Sequence, residues 1–309
     1  MRVEVLLATR NGEQFLEPML ESLATQTYSD FVLVVSDDCS SDKTLSILKN
    51  WTSRFANTLE IEPRNIPSGS AAANFSSLLT LSRGDYVFFA DQDDIWLPDK
   101  LEAGLKRIRE LERNLGTNTP LITHSDAIII DGNGNRLAPS FWAYKSITPE
   151  FGTSLNTALM HPSVTGCTAG INRSLVDRVR QIPKAAVMHD WWVNLVAAAF
   201  GRVDFTATQH ILYRIHSSNT SSPKRSSFLG MLARSPKPAE IRQWLKLRLD
   251  QGANLLETYN EELPLSSRDT LEQFASISTA SFVEKRKILL SRGFLSPDLL
   301  RNVAALLFI

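Results

Sequence analysis

Over the first 130 positions of this 309-residue chain, short apolar runs alternate with stretches whose apolar side chains recur every three or four residues. Residues 3–8, 31–36, 59–62, 86–90 and 121–130 are rich in Val, Ile, Leu or Phe and read as strands. Between them, Phe15, Met19, Leu20 and Leu23, then Leu45, Leu48 and Trp51, then Leu101, Leu105, Ile108 and Leu111 carry helical spacing. Strand followed by helix in this rhythm predicts an α/β fold: right-handed crossovers, a mostly parallel central sheet, and helices on both faces. Ligands of such sheets gather at the carboxyl ends of the strands. Thr9, Arg10, Asn11 and Gly12, then Asp37 and Asp38, then Asp91, Gln92 and Asp93 all stand at such ends. Three polar turns are therefore expected on one rim.

Residues 131–135, all Asp, Asn or Gly, predict a reversal of the chain at the surface. The pattern is more mixed from 153 to 230, with a helix expected over 190–200, a strand over 209–215 and a serine-rich mobile loop over 217–227. From Pro238 it turns helical, with Ile241, Trp244, Leu245, Leu249, Leu255, Leu256 and Tyr259 in register. The expected organisation is a domain over 1–230, with halves 1–130 and 131–230, and a helical C-terminal region over 231–309.

Composition narrows the class. The chain is 43% hydrophobic and 21% charged, as a globular protein with a core should be. Its formal net charge is zero, so no global field draws it to nucleic acid or anionic lipid, and nucleic acid is not an expected partner. Cys39 and Cys167 lie far apart in no metal-ligand spacing, which argues against a disulfide scaffold and a zinc site. The first residues lack a signal-peptide pattern, and no run reaches the roughly 18 apolar residues of a membrane span. A cytoplasmic protein is expected.

The sharpest chemical signal is Asp91, Asp93 and Asp94, crowded directly after an apolar run. Such charges repel unless cations or hydrogen bonds compensate them. Mg²⁺ or Mn²⁺ shared with a substrate phosphate is the usual compensator. A solvated acidic loop capping the helix near Pro98 is the plainer alternative. At another strand end, Ser40 or Ser41 with Asp42 reads as helix capping. A carboxylate at Asp37 or Asp38 suits the N3–H of uracil or thymine.

Taken together, residues 5–12, 37–42 and 89–96 resemble the family 2 glycosyltransferases of GT-A fold in order, spacing and strand-end placement. The form of 91–96 resembles the bacterial rhamnosyltransferase-like branch that builds O-antigen and other surface polysaccharides. The resemblance implies a donor site of Ala8, Thr9, Arg10, Asn11, Asp37, Asp38, Asn74, Asp91 and Gln92. Within it, Asp37 contacts the base, Asp91 faces the ribose, and Asp93 binds the metal that bridges the diphosphate. Asp94 is then a supporting or capping carboxylate. The chain departs from the family pattern twice. Arg10 stands where an aromatic is usual, and Ala72 and Ala73 stand where a cation usually precedes Asn74. A cation for the base or phosphate must come from elsewhere, with Arg10 itself a candidate.

In the second half, residues 188–192 resemble the family's acidic-plus-Trp catalytic segment. Asp190 is the candidate general base, and His189, Trp191 and Trp192 are candidates for the acceptor site. A helix cap with core tryptophans is the competing reading. Arg214 and His216 are candidates for the diphosphate, His216 also for the metal, and the 217–227 loop for a lid. A phosphohydrolase is the rival class, since Asp-x-Asp after a strand also marks haloacid-dehalogenase-type phosphatases, although there it follows the first strand. A silent sugar-nucleotide-binding module is a third reading. A nicotinamide oxidoreductase is disfavoured, because no Gly-x-Gly-x-x-Gly follows Ala8. The expected activity is an inverting, metal-dependent sugar transfer. Its donor is dTDP-L-rhamnose or a UDP-hexose, and its acceptor a saccharide, free or lipid-linked. At 285–309, cations alternate with Ile, Leu and Phe, which suits contact with the inner face of the plasma membrane, packing on the protein, or a dimer interface.

Overall fold

A computed structural model of the chain describes residues 1–55, 58–179, 181–216 and 238–309. The loop expected over 217–227 and the boundary expected at 230/231 lie outside the described residues. Among the described residues, nine strands form one curled sheet in the order β3-β2-β1-β4-β8-β6-β9-β5, with β7 added to β6. They are β1 (Val3–Thr9), β2 (Val32–Asp37), β3 (Thr58–Pro63), β4 (Tyr86–Asp91), β5 (Ile95–Trp96), β6 (Leu121–Ile130), β7 (Arg136–Ala138), β8 (Gly170–Asn172) and β9 (Arg202–Arg214). Strands β1 to β4 are mutually parallel, as the alternating pattern implies. Past β4 the sheet is mixed: β8 runs antiparallel to both β4 and β6, and β6 is parallel to β9.

Both faces of the sheet are covered, which is why its strands read as unbroken apolar runs. Side chains alternate between the faces with the strand period of two. Val5, Leu7, Phe88 and Ala90 enter one core, with α1 (Leu16–Ala24), α2 (Thr44–Trp51), α4 (Lys100–Leu115) and α5 (Phe141–Lys145). Leu6, Val34, Val87 and Phe89 enter the other, with α3 (Ala71–Leu81), α6 (Leu155–Met160), α7 (Arg173–Val179) and α8 (His189–Phe200). Helix α3 was not anticipated: its apolar periodicity is diluted by serines and alanines, although the Ser70 hydroxyl caps it by accepting from the Ala73 amide.

Four further helices join this second core: α9 (Pro238–Tyr259), α10 (Leu265–Ser276), α11 (Phe282–Ser291) and α12 (Leu299–Phe308). Tyr259 of α9 stacks near Trp192 of α8, with ring centroids 6.4 Å apart, and its hydroxyl donates to the carbonyls of Arg178 and Val179. The Arg248 guanidinium is buried over Trp244 and donates to the carbonyl of Met160 at the end of α6. These helices therefore brace α8 and α6. Among the described residues no helix is long and apolar enough to cross a membrane.

Gly201 joins α8 to β9 where the chain presses on the start of β6. A Cβ there would lie 1.9 Å from the carbonyl oxygen of Pro120, which accepts from the Arg202 amide at 2.9 Å. Backbone rather than a flexible side chain is in the way. Gly201→Ala should therefore cost about 1–3 kcal/mol, as overpacking does, and lower Tm by roughly 2 °C or more. Gly132→Ala, where a Cβ meets nothing within 4 Å, should leave Tm unchanged. Equal Tm for the two variants would refute the close-contact argument.

Candidate active site

The three polar turns do meet on one rim, and their side chains mostly hold one another. Asp37 is buried and accepts from the Thr9 hydroxyl (2.9 Å), the Ser40 amide (2.9 Å) and the Ser40 hydroxyl (2.6 Å). It is a strut between β1 and β2, not the base-reading carboxylate expected of it, because its acceptor capacity is largely used inside the turn. Asp38 takes the cleft-facing place. It accepts from the Ser68 amide and lies 3.5 Å from Arg10 and 3.6 Å from Arg64. Arg10 thus brings a cation to the cleft, where the sequence lacks one at Ala72 and Ala73. Asn11 adopts a left-handed backbone (φ 48°), which Asn tolerates. Its carboxamide oxygen accepts from the Ser41 amide at 2.9 Å. Gln92 clasps the backbone of Arg10 through both ends of its amide, at 2.8 and 2.9 Å. Asn74, on α3, donates to the Ser36 carbonyl and keeps a buried oxygen with no partner among the described residues.

The acidic turn after β4 forms the floor. Asp94 points inward, is 1% exposed and accepts from the Arg214 amide at 3.0 Å. The Arg214 guanidinium is buried as well. It donates to the carbonyls of Asp93 (2.8 Å), Asp131 (3.1 Å) and Gly132 (3.2 Å) and lies over the Phe15 ring. Arg214 is therefore a clamp beneath the turn: its Nε and Nη1 donors face backbone, and the residue expected at a diphosphate is not among those lining the cleft. His216 behaves differently. It lines the cleft, with Nε2 2.7 Å from the Asp93 carboxylate and its ring against Phe15. Antiparallel pairing of β9 with β5 at Ile95–Leu212 carries both residues to the turn.

Burial, then the nearby Asp93 and Asp190, push the Asp91 carboxyl up to about 7. Burial, then Asp93 and Asp91, raise Asp94, and burial with the two carboxyls raises the Cys167 thiol. Below them Lys100 sits 4.4 Å over the Trp96 ring, brought down to about 8 by burial. These groups therefore resist ionising together at the cleft floor. A hard divalent cation would relieve that repulsion, and Asp93 and His216, which line the cleft, could hold one.

Asp190 opens α8 across the cleft from Asp91. Its carboxylate accepts from the Gly166 amide (2.9 Å) and the Trp191 amide (2.7 Å). Gly166 is required there: a Cβ would lie 2.6 Å from His189 Nε2. His189 is buried, stacks on Phe75 at 3.9 Å and borders the cleft, with burial lowering its pKa. Trp191 and Trp192 do not reach the cleft. Trp191 donates to the Ala158 carbonyl, and both are buried in the core, so neither can stack on a sugar. The cleft measures about 640 Å³, and Ala8, Thr9, Arg10, Asn11, Asp38, Asn74, Asp91, Gln92, Asp93, His189, Asp190 and His216 all line it. Phe15, Tyr213 and Gly166 also line it without having been singled out from sequence. Only the two glycines, Gly166 and Gly170, could have hinted at a close approach.

The family description Glycosyl transferase family 2 matches residues 4–180, more than half of the chain. The chain belongs to glycosyl transferase family 2. Among curated relatives, it is 37% identical over 99 residues to dTDP-rhamnosyl transferase RfbG of Shigella flexneri. That match covers 31% of the chain and about a third (34%) of the relative. An uncharacterized glycosyltransferase of Methanocaldococcus jannaschii is 26% identical over 238 residues, 74% of each protein. Among solved structures, Staphylococcus aureus TarS 1–349 in complex with UDP-GlcNAc gives a TM-score of 0.59 at 17% identity, covering 94% of this chain and 79% of that one. The mannosyltransferase PcManGT of Pyrobaculum calidifontis, in complex with GDP-Man and Mn²⁺, gives 0.54 at 14% identity, covering 99% and 86%. At these identities the structural likeness shows the shared GT-A fold. Family membership displaces the phosphohydrolase and oxidoreductase readings.

The raised Asp91 carboxyl has a consequence for stability. Its folded pKa, about 7, exceeds the ordinary 3.8, so the folded state binds the proton more tightly. The associated stability is full below 3.8 and is lost as pH rises through about 7. In chelator, Tm should fall from pH 5 to pH 8, and Asp91→Asn should flatten the fall. Mn²⁺ should restore Tm most at the upper end. A Mn²⁺ increment independent of pH would count against a charge-compensated floor.

Proposed function

We propose that this protein is an inverting, metal-dependent glycosyltransferase moving a sugar from a nucleotide donor to a saccharide or lipid-linked saccharide in surface-polysaccharide synthesis. The observation that carries the reading is the meeting, in one cleft, of Arg10 with Asp38, of Asp93 with His216, and of Asp190 opposite Asp91. The first pair suits a nucleobase, since the Asp38 carboxylate can accept an imide N–H and the planar Arg10 guanidinium can stack on a ring. The second pair would hold Mg²⁺ or Mn²⁺, which when bound supplies positive charge to the departing diphosphate.

In this reading Asp190 is the base. Held by the Gly166 amide at the start of α8, it can accept the proton of an acceptor hydroxyl as that oxygen attacks the anomeric carbon. A new glycosidic C–O bond forms while the C–O bond to the diphosphate breaks, and the electron pair leaves with the diphosphate. Attack opposite the leaving group inverts the anomeric centre. His189 borders the same space and is the residue of the 188–192 segment available to an acceptor.

The likeness to dTDP-rhamnosyl transferase RfbG, confined to about a third of that protein, supports dTDP-L-rhamnose as donor. The fold shared with TarS, solved with UDP-GlcNAc, favours a UDP-hexose as the second reading. A lipid-linked acceptor would require the enzyme to work at a membrane surface.

Asp190→Asn keeps size and one of the two accepted hydrogen bonds, so fold and nucleotide binding should survive while turnover falls about 10²–10⁴-fold, the loss expected for a general base. NMR of the product should show an anomeric configuration opposite to that of the donor. Near-normal turnover in the variant, or a retained configuration, removes Asp190 from this role. Asp93→Ala should abolish the Mn²⁺-dependent part of nucleotide affinity in calorimetry with the fold intact. Wild-type affinity that EDTA leaves unchanged would refute the metal assignment.

A further inference from the structure

Large apolar side chains exposed to solvent are concentrated at one place on this molecule. Of the fifteen found among the described residues, seven lie between 282 and 307: Phe282, Val283, Leu290, Leu299, Leu300, Val303 and Leu307. Scattered singly they would need no explanation, but a contiguous patch does. Both helices that carry them are firmly begun. Ser281 and Glu284 form a reciprocal capping box on α11, and the Asp298 side chain caps α12. Their buried sides dock through Leu289 and Ala305. Their outer sides have regular spacing: Phe282, Arg286 and Leu290 on α11, and Leu299, Val303 and Leu307 on α12, follow one another at four-residue steps.

Arg286 ties the two stripes into one face. Its guanidinium lies over the Phe282 ring and donates to the Leu307 carbonyl at 3.4 Å. Charge on this segment is one-sided: Lys285, Arg286, Lys287, Arg292 and Arg301 stand against Glu284 and Asp298, a net +3 in a chain of zero net charge. Arg292 pairs with Asp269 and Arg301 with Asp298, which leaves Lys285, Arg286 and Lys287 beside the apolar stripe. The face is anchored on the acceptor side of the molecule. Asn156 of α6 donates to the Arg292 carbonyl at 2.6 Å, and α6 holds Trp191, next to Asp190, through the Ala158 carbonyl.

We infer that the outer face of α11 and α12 docks on an anionic lipid surface. Exposed Leu and Phe enter the acyl boundary while the lysines meet headgroup charge, the two contributions that hold an interfacial helix. A second copy of the chain is a poorer occupant, because a two-fold contact would set the same cationic cluster against itself. The inference stands apart from the donor site, and its readout is binding without turnover.

Flotation of the full chain with phosphatidylcholine vesicles, with and without phosphatidylglycerol, tests it. Binding should require the anionic lipid and weaken at high salt. Lys285→Glu with Lys287→Glu should reduce it about 25-fold or more, taking roughly fivefold per cation. Leu300→Glu with Leu307→Glu, at positions already exposed, should reduce it at least about tenfold with unchanged Tm. Absence of flotation, or equal flotation on neutral and anionic vesicles, overturns the inference. So does a dimer in sedimentation velocity that the leucine variant dissolves. None of these outcomes touches the transfer chemistry.

Discussion

Everything at the working end of this molecule answers one electrostatic problem: three carboxylates within four residues at the end of a buried parallel strand. Asp91, Asp93 and Asp94 cannot all ionise there without compensation. The fold handles each differently. Asp94 turns inward onto the Arg214 amide, above the buried Lys100. Asp93 pairs with His216. Asp91 is left at the cleft with its affinity for a proton raised.

This solution fixes much of the topology. Arg214 must arrive from 121 residues downstream to hold the Asp93 carbonyl, so β9 has to be long. It pairs with β6 from Arg202 to Arg214 and takes β5 on its other edge at Ile211 and Leu212, with register shifts near Ser125 and Asp126. Such irregularities bend and twist strands. Phe15, brought by the turn into α1, supplies an aromatic face to both Arg214 and His216.

A second support holds the opposite wall. Asp190 sits at the amino end of α8, where the Gly166 amide donates to its carboxylate. That helix is apolar on nearly every side and can exist only inside the core. The C-terminal helices complete its burial through Tyr259, Leu255 and Phe274. Residues far from the cleft thereby fix the direction in which Asp190 points, which matters because misplacement by about 1 Å can cost orders of magnitude in rate.

Much of this was legible in the chain itself. Strands β1 to β4, helices α1, α2 and α4, the rim of polar turns and Asp93 in the cleft follow from local periodicity and from charges placed at strand ends, and Asp190 from the resemblance of residues 188–192 to the family. Such features depend on near neighbours in sequence, and near neighbours are what a sequence displays. The partners were not legible. Asp37 and Asp38 are adjacent and chemically identical, yet packing against Thr9 and Ser40 makes one a strut, and the ion pair with Arg10 turns the other to the cleft. Arg214 and His216 lie on the same strand end, and only the position of Phe15 and the acidic turn sends one beneath the floor and the other into it. Trp191 and Trp192 follow a cleft carboxylate and have the composition of a sugar platform, but the helical turn carries both into the core. Which side chain faces a cavity is set by long-range packing, and tertiary structure alone decided it.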